Sequence, residues 1–177
     1  METWRRRFFS RWGEWSLLGV IVLAGFVLRL YQLGEDSFWI DEVGIINAVR
    51  QHGLGEALAA ARHHVMAMPL DYVVVWAWGK FTPLDTWLRL PAALWGALTV
   101  IPAYLLYRRL GDAPLALWGA FFLACAPFHI QYSQELHFYA ALTFFYTLTT
   151  WLLLRAVEEA KVKPWVVALA ALLVGFY

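Results

Sequence analysis

The sequence predicts an all-α integral membrane protein of about five transmembrane helices, with juxtamembrane helices in a large first external loop. Three observations carry this. Of 177 residues, 62% are hydrophobic and 18% aromatic, 11 of them Trp, at a mean hydropathy of +0.56. A soluble domain of this size has no use for so much apolar surface, whereas a bundle of membrane helices does. The apolar residues also gather into long runs, and the basic residues cluster at alternate ends of those runs. The whole chain, 1–177, reads as a single membrane domain.

Taken in order, the first span is expected at 15–34. Arg5, Arg6, Arg7 and Arg11 precede its apolar run. That run approaches full spanning length and no small-x-small site follows, so it reads as an uncleaved first helix with its N-terminus in the cytoplasm of a plasma (inner) membrane. Residues 35–87 form the external loop. Within it, PLDYVVVWAWGKF (69–81) is a short helix that does not cross, because spanning takes about twenty residues. Discounting it places Arg108 and Arg109, then Arg155, Lys161 and Lys163, on the cytoplasmic side with the N-terminal arginines. Further spans follow at 88–107, 113–130, 136–155 and 164–177. The last stops short at Tyr177, as in the front part of a longer protein. The net charge of +1 carries no basic stripe and implies no nucleic acid. The single cysteine, Cys125, lies in an apolar run and excludes an intrachain disulfide.

Two polar clusters interrupt this pattern. In FWIDEVGIINAVRQHG (38–53), Asp41 and Glu42 are adjacent acids beside a bilayer, where charge is costly. Asp41 stands at an expected helix N-cap ahead of an apolar stripe of Val43, Ile46 and Val49, so capping and chemistry are both open. The second cluster is PFHIQYSQELHFYA (127–140), with His129, Gln131, Tyr132, Ser133, Gln134, Glu135, His137 and Tyr139. It reads as a wet connector, or as the holder of a polar substrate head. Glu135 near a helix start also suits the helix dipole. The topology puts both clusters on one outer face. Arg29 near the outer end of the first span, and Arg89 at the start of the second, either snorkel as packing or reach an acid or phosphate.

His63, His64, Met66 and Met68 have the softness for copper(I), but adjacent histidines do not share a helix face. A divalent cation on Asp41, Glu42 or Glu135 is the alternative, and the sequence requires no cofactor.

The order LRLYQLG, FWIDE, PLDY, LRLPAALWGALTVIPAYLLYRRLG, then APFHIQYSQELHFYA resembles the N-terminal half of GT-C glycosyltransferases of the protein O-mannosyltransferase and lipid A aminoarabinose transferase type. The resemblance covers about 26–155. It implies a multi-span membrane enzyme that transfers a sugar from a polyprenyl-phosphate donor to an acceptor on the outer or lumenal face. The family's first-loop acid matches Asp41, with Glu42 beside it, and its second motif matches Ser133, Gln134 and Glu135. This sequence departs from the pattern twice. His137 stands where an arginine is common, and HHVMAMP replaces a His-Pro-Pro or lysine-bearing segment. His63 and His64, when protonated, would substitute as phosphate partners.

The chemistry needs a base for the attacking hydroxyl or amine and donors for the phosphate, which leaves as a stable anion without protonation. A glycosidase-like carboxylate pair is the wrong template. Asp41 is the candidate base and Glu42 its partner. The candidate substrate residues are Glu135, Gln134, His137, Tyr139, His64, Arg89 and Arg29. The expected partners are the polyprenyl-phosphate sugar, the bilayer and other membrane proteins. A structural or assembly subunit of a larger complex is the alternative, since small residues and tryptophans suit helix packing. A transporter is disfavoured because no acid lies within a span.

Overall fold

The computed structural model describes residues 11–62 and 68–176. Among these the chain forms nine α-helices, one 3-10 turn and no strand. They are α1 (Arg11–Leu30), α2 (Ile40–Val49), α3 (Leu54–Ala61), α4 (Pro69–Gly79), the 3-10 turn (Asp85–Arg89), α5 (Leu90–Leu110), α6 (Ala113–Cys125), α7 (Pro127–Ser133), α8 (Tyr139–Glu159) and α9 (Val162–Phe176).

Local chemistry sets most boundaries. Pro69 opens α4 and Pro127 opens α7, where a missing N–H costs nothing. The Asp112 carboxylate accepts the Leu115 N–H at 3.1 Å and caps α6. Gln32 (φ 59°) and Ala160 (φ 49°) adopt the left-handed conformation after α1 and α8.

Three stretches are long and apolar enough to cross a bilayer: Trp12–Leu30, Asp85–Leu110 and Tyr139–Glu159. The expected continuous span over 113–130 is corrected. Its helix ends at Cys125, and α7 leaves at 55°, so α6 and α7 make a fourth crossing only jointly. The cause is local. Ala126 precedes Pro127, whose ring drives it out of the α region to ψ 119°. The α9 helix, at 15 residues, reaches only about 22 Å. Among the described residues, helix length thus supports three crossings, or four with the bent pair, and does not by itself confirm the expected five.

Helices α1 and α6 run one way and α5 and α8 the other, as the contacts Glu14–Arg108, Arg29–Ala124 and Arg109–Glu158 require, and small residues bring the four close. Ala93, Ala116, Ala120 and Ala124 are buried between them. Arg108 bonds Glu14 at one end of the bundle, while Arg89 meets α2 at the other. Lys80 lies at this second end, donating to the carbonyls of Gln51 and His52. The α4 helix, 11 residues and about 16 Å long, is too short to cross.

Residues after α1 build a small helical cap with its own core. Ile45, Ile46 and Val49 of α2 pack against Ala61, Tyr72, Val75, Leu88 and Leu136. The buried face of α2 is thus Glu42, Ile45, Ile46 and Val49, at i, i+3, i+4 and i+7, while Val43 of the expected stripe is exposed. Asp41 is not the N-cap either. Trp39 holds that position, and its N–H donates to Glu42 Oε2 at 3.0 Å.

Candidate active site

The two polar clusters meet at the cap end of the bundle, and Glu42 is where they join. Its Oε1 accepts Arg89 Nε at 2.8 Å and the Leu136 N–H at 2.6 Å. Its Oε2 accepts Arg89 Nη2 at 2.8 Å besides the Trp39 N–H. The pair is bidentate and almost fully buried, with the two side chains 3% and 2% exposed. Arg89 also donates to the carbonyls of Asp36 (3.0 Å) and Ser37 (3.4 Å), and lies over the Phe38 ring at 4.6 Å. Burial pushes the Glu42 carboxyl up, but Arg89 and the N–H groups of Leu136 and Trp39 outweigh it and hold it below the usual range. Glu42 is an ionised, saturated anchor.

Its neighbour faces the other way. One residue on a helix is a rotation of about 100°, so Asp41 is exposed where Glu42 is buried. Among the described residues no group hydrogen-bonds the Asp41 carboxylate. Its charge and that of Glu42 reach His137, whose pKa is lowered by burial and partly restored by those acids. Glu135 is half-buried nearby. Burial first and the Glu42 charge second raise its pKa, with Arg89 opposing. Two carboxylates in close sequence thus differ in kind, one open and one locked, with a third held toward its neutral form.

His137 stacks on Tyr139, ring centroids 4.2 Å apart and planes 18° apart. Tyr139 stands edge-on to Tyr132 at 5.3 Å and borders a cavity of about 370 Å³ between α7 and α8. Gln134 is spent on structure: its Nε2 donates to the carbonyls of Tyr31 (2.6 Å) and Arg29 (3.2 Å), capping the end of α1. Arg29 does not snorkel, being 0% exposed. Its Nη1 donates to the carbonyls of Gly25 (2.7 Å) and Ala124 (3.1 Å), and its Nη2 to His129 Nδ1 at 2.8 Å. The break at Ala126 frees the Ala124 carbonyl for this. Gly96 of α5 makes room, since a Cβ there would collide with Ser133 and come within 2.8 Å of Arg29 Nε.

Of the sequence candidates, Asp41, Glu42, Arg89, Glu135, His137 and Tyr139 gather at this end. Gln134 and Arg29 support them from below, and His64 lies outside the described residues. No three His, Cys, Asp or Glu side chains among the described residues come together as a metal site. Sequence reading placed His129 in the second polar cluster without a role, and it passed over Asp71. His129 pairs with Arg29, its one local signal being the i, i+4 spacing to Ser133 on a helix opened by proline. Asp71 is 5% exposed in α4, and burial raises its carboxyl to about 7. Nothing in PLDYVVVW marks that acid as inward-facing.

Residues 72–177 match the family described as dolichyl-phosphate-mannose-protein mannosyltransferase, a match that begins in α4 and so leaves out α2. Over 87 residues the chain is 33% identical to a Bacillus subtilis (strain 168) protein named "Putative mannosyltransferase YkcB". That stretch is 49% of this chain and 12% of the relative, so the chain corresponds to a small part of it. No solved structure matches the chain.

Proposed function

Since the chain belongs to the dolichyl-phosphate-mannose-protein mannosyltransferase family, integral membrane proteins of GT-C type, we propose that it moves a sugar from a polyprenyl-phosphate donor to an acceptor at the outer membrane face. The membrane is the plasma (inner) membrane, and the N-terminus is cytoplasmic. The observation that carries this reading is the pairing of an exposed Asp41 with a buried, saturated Glu42–Arg89 anchor beside the second polar cluster.

The roles follow from exposure. Asp41 takes the proton of the acceptor hydroxyl or amine as that atom bonds to the sugar carbon. The bond from that carbon to the phosphate oxygen breaks in the same displacement, and the polyprenyl phosphate departs as an anion that needs no proton. Glu42 and Arg89 touch no substrate. They fix the first turn of α2, and with it the place of Asp41. Glu135, His137 and Tyr139 border the path of the sugar.

The test is sugar transfer by the full-length protein in membranes, from a radiolabelled polyprenyl-phosphate mannose. Asp41→Asn is expected to lower the rate by roughly a hundredfold or more, the usual contribution of a positioned base. Its expression and thermal unfolding should match the wild type, because Asp41 is exposed and caps nothing. Near-normal transfer by Asp41→Asn would remove it as the base.

A further inference from the structure

We propose that Arg29 is a positioning residue for the transfer reaction. From the end of α1 it grips both sides of the α6–α7 break, fixes the loop between α7 and α8, and through Leu136 and Glu42 sets the place of Asp41. The consequence for the reaction rests on the transferase reading; the grip itself stands on hydrogen bonds and is tested apart from it.

The need for a grip comes from α7. A helix of seven residues, about 10 Å long, is marginal without outside support. It also leaves α6 at 55°, so no continuous helical ladder carries it. Arg29 bridges the break. Its Nη1 donates to the Ala124 carbonyl on the α6 side at 3.1 Å, and its Nη2 to His129 Nδ1 on the α7 side at 2.8 Å. A guanidinium has only donors, so Nδ1 accepts and the ring is held neutral. The far end of α7 is tied to the same residue. Gln134 donates its Nε2 to the carbonyls of Arg29 (3.2 Å) and Tyr31 (2.6 Å). Helix α7 is thus splinted against the end of α1 at both of its ends.

Charge explains why the gripping group is a cation. Arg29 is 0% exposed and bonds to no carboxylate among the described residues. Its compensation comes from helix ends. Helices α1 and α6 run the same way, so their C-terminal ends, each with about half a negative charge, lie side by side and repel. Arg29 sits between them, bonded to a carbonyl near the end of each, Gly25 at 2.7 Å and Ala124. A lysine lacks the planar fork that serves these acceptors and His129 together.

The loop that α7 delivers carries Glu135 and His137. Two residues past Gln134, the Leu136 N–H donates to Glu42 Oε1 at 2.6 Å, and Glu42 accepts the Trp39 N–H to close the first turn of α2. Asp41 stands exposed in that turn. Each link is a direct hydrogen bond or a short step along the chain, so displacing α7 pulls on the turn that holds Asp41. A misplacement of about 1 Å at a reacting group costs up to roughly a hundredfold in rate.

The experiment combines hydrogen–deuterium exchange with sugar transfer by the full-length protein in nanodiscs. Arg29→Met keeps the length of the side chain and removes its donors. Gln134→Leu, at a half-buried position, releases only the far end of α7 and is the milder variant if Arg29→Met does not fold. Both should speed exchange over 127–138 and over 39–45, with α9 exchanging as in the wild type. Transfer per folded molecule should fall roughly tenfold or more in kcat, with the donor KM within a few-fold. In an Asp41→Asn background, Arg29→Met should cost no more than about threefold, because the group being positioned is already gone. Unchanged exchange in both variants would overturn the grip. Faster exchange confined to 127–138 would overturn its reach to α2. Wild-type kcat per folded molecule, or losses that multiply with those of Asp41→Asn, would overturn the positioning role. Absence of transfer by the wild type would remove the transferase reading, and the exchange profile would still decide the grip.

Discussion

The Leu136 N–H donates to Glu42 Oε1 at 2.6 Å across 94 residues of chain. This one bond ties the start of α2 to the loop between α7 and α8, and so ties Asp41 to Glu135, His137 and Tyr139. The Glu42 carboxylate would cost several kcal/mol if buried alone, but Arg89 and two backbone donors complete it. The joint is therefore fully satisfied or badly broken, with little between.

Removing one member should show this. Glu42→Leu leaves Arg89 as a buried, unpaired cation and is expected to cost about 3–5 kcal/mol, read as a large fall in unfolding temperature of the solubilised protein. Adding Arg89→Met should restore part of that loss, although each single change is damaging. Additive losses would mean that the two side chains are not coupled.

The same group gives an acid limb. Its folded pKa is lowered, so its contribution is fully present above the ordinary carboxylate value of about 4.3 and is lost as pH falls through the lowered folded value. Unfolding temperature should thus drop below about pH 4, and that slope should be shallower in Glu42→Gln.

Asp71 predicts the opposite sign. Burial raises its folded carboxyl to about 7, so the folded state holds a proton that the unfolded chain has already released. Stability should decline as pH rises from about 4 through 7, at up to 1.4 kcal/mol per unit. Asp71→Asn should remove this decline and raise the unfolding temperature at neutral pH. An unchanged pH profile in that variant would refute the assignment.

Gly96 and Gly19 separate close packing from helix propensity. Alanine at 96 meets Ser133 and Arg29, and is expected to cost about 1–3 kcal/mol and to lower transfer by shifting the α7–α8 loop. Alanine at 19 meets nothing within 4 Å, and should be neutral or stabilise by up to about 1 kcal/mol. Matching effects at both sites, from unfolding curves, would deny any special contact at Gly96.

The sequence by itself determined the helical membrane class, the short α4 and the two polar clusters. Each rests on a local property: summed hydropathy, the length a helix needs to cross, or a run of polar types. The break before Pro127 was legible in the same local way, since a residue preceding proline leaves the α region, although hydropathy alone reads through it as one span. What only the tertiary structure decided is which way each side chain faces and what meets it. Asp41 and Glu42 differ by one step of a helix, and their assignment to open and locked depends on Arg89, 47 residues onward, and on the Leu136 N–H. Arg29 reads either as a snorkelling arginine or as one reaching an acid or phosphate, until α6 ends early and a carbonyl and an imidazole meet it instead. Burial and pairing are properties of contacts distant in sequence, and no local period encodes them.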